Sequence, residues 1–435
     1  MTGDIEACNQ QQDPARSPLV DVKTLYWPQS FPVDVMHLIL EGIVPRTFDI
    51  WIEASKTTGL GADIKESARE VPAALARSPE NIFQHHRSYG AQNWFDFLQL
   101  FAHPLLDGRE SLEVRKNLAL LAHIYSVSTQ EELREEDIRH LERAVREFVE
   151  SYENLYSDPT VCTSNLHGIL HLADCVKNCG PAWGYWQFTI EKTCGNVVSW
   201  LRGSKLKDES VSNAIVLHQQ VNLIRWQNPN ICLSWEVVFM QDRAMSSLTG
   251  LVDKVKRPPE FTDEQWDALA AYFDIQPPSA AMIHEMQKTM VHFRKYRANR
   301  EDIVTSSLVT DRPESRCSRY VSCQNHVNER YFGVVDRLFS CTWHREDHQV
   351  ALVKVFDEVH YANNQDETYG RVQTLKSRKS YLVCICLANI ECTVGITYNR
   401  FTKQEYILDR NWVDCDLYDS TIESGLRAAN NDWTC

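Results

Sequence analysis

Two histidines stand four residues apart in a segment whose apolar spacing predicts a helix, residues 165–178. His167 and His171 therefore share one helix face, and Asp174 follows at the next turn. Two imidazoles at this spacing can bind a metal ion such as zinc. The other interpretation is a pair of hydrogen-bonded histidines in the interior of a tightly packed helix. The candidate metal ligands are His167 and His171.

A second group of residues has partial zinc-like spacing. Cys317 and Cys323 are followed by His326, and Cys341 is the nearest candidate for a fourth ligand. The 14 cysteines of the chain form no repeating framework, which indicates reduced thiols, many of them buried.

The densest basic run of the chain lies within residues 292–300, where Phe293 and Tyr296 are interleaved with the charges. Such a run could contact DNA phosphates, and a solvated helix face is the other interpretation. The candidate DNA-binding residues are Arg294, Lys295, Arg297 and Arg300.

These residues depend on helices for their positions, because apolar side chains recur at helical spacing from residue 33 over about 190 positions. Pro45 should end or kink the first helix, and Thr129 with Glu132 should form a capping box before a later one. The predicted helices are 34–53, 89–106, 112–125, 131–156, 165–178, 185–201, 209–226, 262–274 and 279–299.

The period of the pattern changes after a polar segment at residues 306–318, which we interpret as a linker. Beyond it, short runs of β-branched and aromatic residues alternate with turn residues and predict a small antiparallel β domain. The predicted strands are 331–339, 349–355, 381–387, 392–398 and 405–408.

Composition restricts the class of protein. Hydrophobic residues make up 43% of the chain, which is typical of a globular protein. There are 45 Lys and Arg against 59 Asp and Glu, a net charge of −14, so the whole surface is not a nucleic-acid footprint, although a local basic groove is compatible. No long apolar run predicts a membrane span, and no secretory signal is found, which indicates the cytoplasm or the nucleus.

Four separate blocks, in order along residues 31–220, resemble the CACTA (En/Spm-like) family of DNA transposases. The most specific is the fourth, a His-rich helix, a Gly-Pro turn and an aromatic segment before an acidic-basic pair. The blocks are 31–38 (FPVDVMHL), 88–94 (SYGAQNW), 148–156 (FVESYENLY) and 165–195, which includes NLHGILHLAD, NCGPAWGYWQF and IEK.

This resemblance implies an RNase H-like nuclease in which two Asp and one Glu bind two Mg²⁺ ions for phosphodiester transfer. It assigns Glu191 to the catalytic Glu, and Asp34 with His37 to an Asp-x-x-His element of the core. A helix N-cap with a first-turn histidine is the other interpretation of Asp34 and His37. Lys192 stands where the family has Arg, so the bidentate fork is absent.

In the family, the two metal-binding Asp lie on strands that precede the Asp-x-x-His element. Only 33 residues precede Asp34, and none of them forms a strand-like run. We therefore expect the front of the nuclease to be missing and the chain to be catalytically incomplete. One hypothesis is a fragment of a DNA-cutting transposase. The other is a non-catalytic module that binds DNA or protein.

The expected fold class is α+β, with a mainly helical remnant of the RNase H-like core and its helical insertion followed by a small antiparallel β domain. By resemblance, the partner is DNA at transposon ends and the location is the nucleus, with the cytoplasm as the alternative. A homo-oligomer is a further candidate partner, and a membrane is not expected. The predicted parts are a polar lead-in (1–30), a transposase-like helical domain (31–230), a helical connector with linker (231–317) and a β domain (318–435).

Overall fold

The computed structural model of the chain has a mixed α+β fold, in which helices come first and antiparallel sheets follow. This agrees with the predicted class. The structure describes residues 18–26, 29–53, 59–156, 161–199, 207–227, 250–275, 277–298, 303–309, 316–324, 329–361 and 373–409.

Thirteen α-helices lie in these ranges, and two π-helical segments, Met36–Ile43 and Phe97–Phe101, continue directly into α-helices. The α-helices are α1 (Val44–Glu53), α2 (Leu60–Glu66), α3 (Ile82–His85), α4 (Ala91–Asp96), α5 (Ala102–Leu106), α6 (Leu112–Ser128), α7 (Glu135–Leu155), α8 (Ser164–Ile169), α9 (Leu172–Cys179), α10 (Phe188–Ser199), α11 (Lys207–Gln227), α12 (Asp263–Tyr272) and α13 (Ala280–Thr289).

Each π-helical segment precedes a proline. Val44 N–H donates to the carbonyl of Ile39, five residues back, and Pro45 follows at the start of α1. Ala102 likewise bonds to Phe97, and Pro104 lies in α5. Proline has no N–H to donate and its ring crowds the carbonyl four residues back, so a wider turn before it relieves the clash. Pro45 therefore marks a change of helix type rather than the end of a helix.

The helical layer packs around α1. Phe48 is fully buried, and its ring centroid lies 5.4 Å from that of Phe83 and 5.7 Å from those of Trp94 and Phe97. Such edge-on and tilted aromatic pairs add to the stabilisation from buried apolar area. This aromatic cluster holds α1 against α3 and α4.

Helix α7 attaches to α1 through polar groups as well as apolar ones. Tyr152 and Thr47 share a hydrogen bond of 3.1 Å between their hydroxyls, and Trp51 Nε1 donates to the Tyr156 hydroxyl at 2.9 Å. The amphipathic pattern predicted for 131–156 is confirmed by the burial of one face of α7. Tyr152 and Tyr156 belong to the block 148–156, so this block contacts α1, which continues the helix that begins in the first block.

The predicted capping box before α7 is wrong. Thr129 ends α6, where its hydroxyl donates to the carbonyl of Tyr125. Helix α7 begins later, and the Asp137 carboxylate accepts from the backbone N–H of Arg134 at 2.7 Å. An acidic side chain in the first turn also stabilises the positive end of the helix dipole.

In the described part of the chain, all strand pairs are antiparallel and form two sheets. The eight-stranded sheet contains β1 (Gly250–Lys254), β2 (Val291–Arg297), β3 (Ile303–Thr305), β4 (Tyr320–Gln324), β5 (Arg330–Trp343), β6 (Glu346–Phe356), β9 (Ser380–Cys386) and β10 (Ile390–Thr393). The four-stranded sheet has the order β11 (Gly395–Asn399), β12 (Gln404–Leu408), β8 (Gln373–Leu375) and β7 (Val359–Tyr361).

The predicted antiparallel strands at 331–339, 349–355, 381–387 and 405–408 are confirmed as β5, β6, β9 and β12. The single strand predicted at 392–398 is wrong, because β10 and β11 belong to different sheets. The helix predicted at 279–299 ends at Thr289, and residues 291–297 form β2 instead. Pairing of β2 with β1 and β5 overrides the local helical spacing.

The smaller sheet lies against the helical layer. Tyr406 and Leu408 belong to the helical core, and Asn399 Nδ2 donates to the carbonyls of Pro104 and Asp107 at 3.0 Å. Arg316, at the end of the predicted linker, donates at 2.7 Å to the carbonyls of three residues, Val71, Pro72 and Ala76. The sheet region is thus attached to the helices at several points.

Strands β1 to β3 lie between residues 250 and 305, within the range that we predict as a helical connector. The larger sheet has strands on both sides of residue 318. The domain boundary that we predict there stays a prediction. None of the helices in the described ranges is long and apolar enough to cross a membrane.

Candidate functional site

A histidine and an aspartate form a close pair at the start of the first π-helical segment. His37 Nδ1 lies 2.5 Å from Asp34 Oδ2, and the His37 backbone N–H donates to the same oxygen at 3.3 Å. Asp34 Oδ1 accepts from Gln187 N–H at 3.1 Å. The N-cap interpretation of Asp34 therefore describes its backbone bond, while its contact with the ring orients the imidazole. Both oxygens of Asp34 are engaged.

The other ring nitrogen of His37 faces two more carboxylates. His37 Nε2 lies 3.1 Å from Glu191 Oε1 and 3.8 Å from Glu41 Oε2. Among the described residues, these three form the one set of metal-binding donors that all lie within 4.8 Å of one another. The side chains of His37, Glu41 and Glu191 are 43%, 35% and 49% exposed, so the cluster is open to solvent.

Glu191, Asp34 and His37, the three residues to which the resemblance assigns roles in the core, thus lie together. Their catalytic roles stay predictions.

The charges around His37 favour its protonated form. Partial burial acts to lower the pKa of His37, but the hydrogen bond and charge of Asp34, followed by the charges of Glu191 and Glu41, outweigh it and raise the pKa above its ordinary value. Three carboxylates thus surround one imidazole. Their negative charges favour the binding of a cation beside His37.

Glu41 is held in place by a second element. Its Oε1 accepts from the backbone N–H of Ala91 at 3.0 Å, at the start of α4. A carboxylate there accepts from an N–H that has no partner within the helix, and its charge interacts favourably with the positive end of the helix dipole. The block 88–94 is therefore joined to the cluster through Glu41.

Two glycines allow the block 165–174 to approach closely. A Cβ on Gly42 would lie 2.2 Å from Asn165 Nδ2, and one on Gly168 would lie 3.0 Å from Leu38 Cδ1. The π-helical segment and α8 can therefore pack with their backbones near each other. The backbone N–H of Val33 also donates to Cys175 Sγ at 3.4 Å. The second, third and fourth blocks thus contact the helix of residues 36–53, and the first block forms its start.

A groove of about 640 Å³ adjoins the cluster at Glu41. Two arginines without an ion-pair partner among the described residues, Arg46 and Arg87, face it together with His86. Its other lining residues are Pro45, Asp49, Ile52, Tyr89 and Trp94. The groove thus combines two arginines and two carboxylates with aromatic surface.

The histidine pair lies elsewhere on the helical layer. The predicted single helix is broken, since His171 lies between α8 and α9. The two Nε2 atoms of His167 and His171 are nevertheless 3.4 Å apart, and both side chains are exposed, as is Asp174. The interior interpretation of this pair is therefore wrong. Metal binding by His167 and His171 stays a prediction.

The basic run is not on a helix. Arg294, Lys295 and Arg297 lie on β2, all half-buried, and Arg294 pairs with Asp253 at 2.9 Å. Arg300 lies outside the described residues. The solvated-helix interpretation is therefore wrong. Half-buried cations have limited reach toward phosphates, and DNA contact by β2 stays a prediction.

The aromatic block after the Gly-Pro turn is only partly buried. Trp183 is 46% exposed, while Tyr185, Trp186 and Phe188 are partly buried against the helical core. These rings lie at the edge of the core because α10 itself is largely exposed.

The cysteine spacing does not assemble a site in the described part. Cys317, Cys323 and Cys341 pack in three different apolar clusters, and His326 lies outside the described residues.

Sequence reasoning missed Glu41, Arg46 and Arg87. The signal for Glu41 was present, because it stands four residues after His37 on one helix face. The groove was not detectable, since α1 and the residues around His86 meet only in the folded chain.

Comparison with models of known protein families finds no match, and neither the curated proteins nor the solved structures provide one.

Proposed function

We propose that this chain is a relative of CACTA-type transposases that binds DNA and does not cut it. The observation that carries the proposal is the convergence of Asp34, His37 and Glu191, which the resemblance selects from distant parts of the sequence. In this interpretation, the helical layer corresponds to the remnant of an RNase H-like core and its helical insertion. The location would be the nucleus.

The lack of cleavage follows from the donors present. Two-metal phosphodiester transfer requires several carboxylates around two ions about 4 Å apart. In the described ranges, one set of three donors is found, and it contains one imidazole and two carboxylates. Asp34 is not part of that set, because it lies on the Nδ1 side of the His37 ring, where it contacts His37 and accepts from Gln187 N–H. These residues do not fit a pair of Mg²⁺ ions.

The groove next to Glu41 is the proposed DNA-binding surface. Arg46, which is half-buried, and Arg87, which is exposed, face it without an ion-pair partner among the described residues, whereas Arg294 of β2 is paired with Asp253. Guanidinium groups bind phosphate oxygens through paired N–H donors, and aromatic side chains add contact surface. The groove also contains two carboxylates, Glu41 and Asp49, so phosphate binding there depends on the two arginines.

Binding can be measured by fluorescence anisotropy with a labelled DNA duplex at a series of salt concentrations. Each phosphate contact that is lost should lower the slope of log K against log salt by about 0.9. We expect Arg46→Ala with Arg87→Ala to lower it by about 2. The matched control is Arg146→Ala, whose side chain is 73% exposed on α7 and should leave the slope unchanged.

A plasmid-nicking assay tests the second half of the proposal. We expect no nicking with Mg²⁺ or Mn²⁺. Nicking by the purified protein that disappears in Glu191→Gln would show that the chain is an active nuclease. An unchanged salt slope in the double arginine variant would exclude the groove as the DNA-binding surface.

A further inference from the structure

We propose that His37, Glu41 and Glu191 bind a single zinc ion, which makes this cluster a mononuclear transition-metal site rather than half of a magnesium pair. The inference rests on the geometry of the three side chains and on the groups that hold them. It does not depend on DNA binding.

The distances between donor atoms match a tetrahedral ion. Zinc binds histidine nitrogen and carboxylate oxygen at about 2.0–2.1 Å, so two ligands of a tetrahedral site lie about 3.3 Å apart. His37 Nε2 is 3.1 Å from Glu191 Oε1 and 3.8 Å from Glu41 Oε2, which brackets that value. The third separation, between the two carboxylates, is within 4.8 Å. Small rotations of two exposed glutamates would close the site.

The imidazole is already oriented as in a metal site. Histidine ligands in proteins usually donate their second N–H to a carboxylate, which fixes the tautomer and the ring plane. His37 Nδ1 lies 2.5 Å from Asp34 Oδ2, so Nε2 is the nitrogen that faces the glutamates, and a bound metal ion would replace its proton. Asp34 is itself anchored by Gln187 N–H at 3.1 Å. We assign Asp34 as a positioning residue.

Glu41, one of the two carboxylate ligands, is also oriented by a hydrogen bond outside the cluster. Glu41 Oε1 accepts from Ala91 N–H at 3.0 Å, which leaves Oε2 facing His37. Glu191 lies on a different helix, α10, and is the more exposed of the two at 49%. Two ligands are thus preorganised on one π-helical segment, and the third closes the site from α10.

The donor set selects the metal. Mg²⁺ prefers octahedral oxygen ligands and retains several waters, whereas imidazole nitrogen suits zinc and its neighbours. Affinity for such a mixed site rises from Mn²⁺ toward Zn²⁺ in the usual order of divalent ions. Three protein ligands in an exposed cluster leave a fourth position for water, as in open zinc sites.

Calorimetric titration tests the site with ZnCl₂, MnCl₂ and MgCl₂ as probes. His167→Gln should serve as the background, because the exposed pair of His167 and His171 could bind zinc by itself. We expect one equivalent of Zn²⁺, weaker Mn²⁺ binding and no saturable Mg²⁺ binding. Glu191→Gln should weaken zinc binding by at least about 100-fold, more than the loss of an outer-shell partner costs. Glu285→Gln, exposed on α13, is the matched control and should not change it.

Two further measurements separate a built site from loose association. Asp34→Asn keeps the size of the side chain but weakens its bond to His37, and we expect a 10–100-fold loss of zinc affinity, about the usual effect of an outer-shell change. Co²⁺ in place of Zn²⁺ should show the strong visible absorption of a four-coordinate ion. Circular dichroism would verify that each variant is folded.

The inference is overturned by zinc binding that is equal in the Glu191→Gln variant and its background, or by a preference for Mg²⁺. A weak six-coordinate Co²⁺ spectrum would also contradict it. DNA binding in the absence of zinc would not contradict the metal site. Zinc binding by a protein that does not bind DNA would refute only the proposed function.

Discussion

Replacing one glycine beside the cluster should disturb both the stability of the helical layer and the metal site. A Cβ at Gly42 would lie 2.2 Å from Asn165 Nδ2, 2.9 Å from Asn165 Cγ and 2.9 Å from the carbonyl oxygen of His37. Because atoms do not approach so closely, both the Asn165 side chain and the backbone of His37 must shift. Overpacking of this kind costs about 1–3 kcal/mol.

Alanine also favours a helix over glycine by about 1 kcal/mol, which offsets part of that cost. We therefore expect Gly42→Ala to lower the free energy of unfolding by about 1 kcal/mol or more. Gly195→Ala, on α10, is the matched control, since its Cβ would meet nothing within 4 Å. It should gain up to about 1 kcal/mol from the same helix preference.

Urea denaturation of the two variants measures the difference, which should be about 2 kcal/mol. Asn165→Ala in the Gly42→Ala background should recover part of the loss, because it removes the nearest atoms. Zinc affinity of Gly42→Ala should fall as well, since the His37 backbone is displaced. Equal stabilities of Gly42→Ala and Gly195→Ala would refute the close packing between the π-helical segment and α8.

Three other predictions concern the rest of the fold. Asp63 is fully buried and lies 2.5 Å from Arg109, so Asp63→Asn should cost about 3–5 kcal/mol in chemical denaturation by leaving a buried cation uncompensated. Burial, followed by the charge of Arg337, lowers the pKa of His292 from 6.5 to about 4, so the unfolded chain binds a proton that the folded chain does not. Stability should then fall by about 3 kcal/mol from pH 6.5 to 4, and His292→Phe should flatten that slope. Phe148→Ala should lower the free energy of unfolding by about 3–5 kcal/mol, and Trp186→Ala, at a less buried position, by about half of that. Similar losses in the two variants would contradict the difference in burial.

Local periodicity was sufficient to predict the long amphipathic helices and most strands of the β region. Helix α7 buries a regular stripe of residues, and β5 with β6 shows runs of β-branched and aromatic side chains. Strand β2 was mispredicted because the basic residues Arg294, Lys295 and Arg297 follow a helix without a break signal. Its conformation is decided by partners more than 40 positions away in β5.

The candidate site was predictable only where a motif marked it. Asp34, His37 and Glu191 were selected by resemblance, and they meet in space. Glu41 was missed because glutamates on exposed helix faces are common, so its spacing of four residues from His37 did not single it out. What makes it distinctive is the bond from Ala91 N–H, which exists only after α4 has packed on the π-helical segment.

The helical layer does not complete its core with its own residues. Tyr406 and Leu408 are part of it, and the bond from Asn399 to Pro104 spans 295 positions. A ribosome adds about 5–20 residues per second, so these partners emerge roughly 15–60 s after the helices that they cover. Closing so long a loop also slows folding. During synthesis, the nascent helices must therefore keep an apolar face uncovered until residue 408 has emerged, which makes them clients for chaperones in that interval.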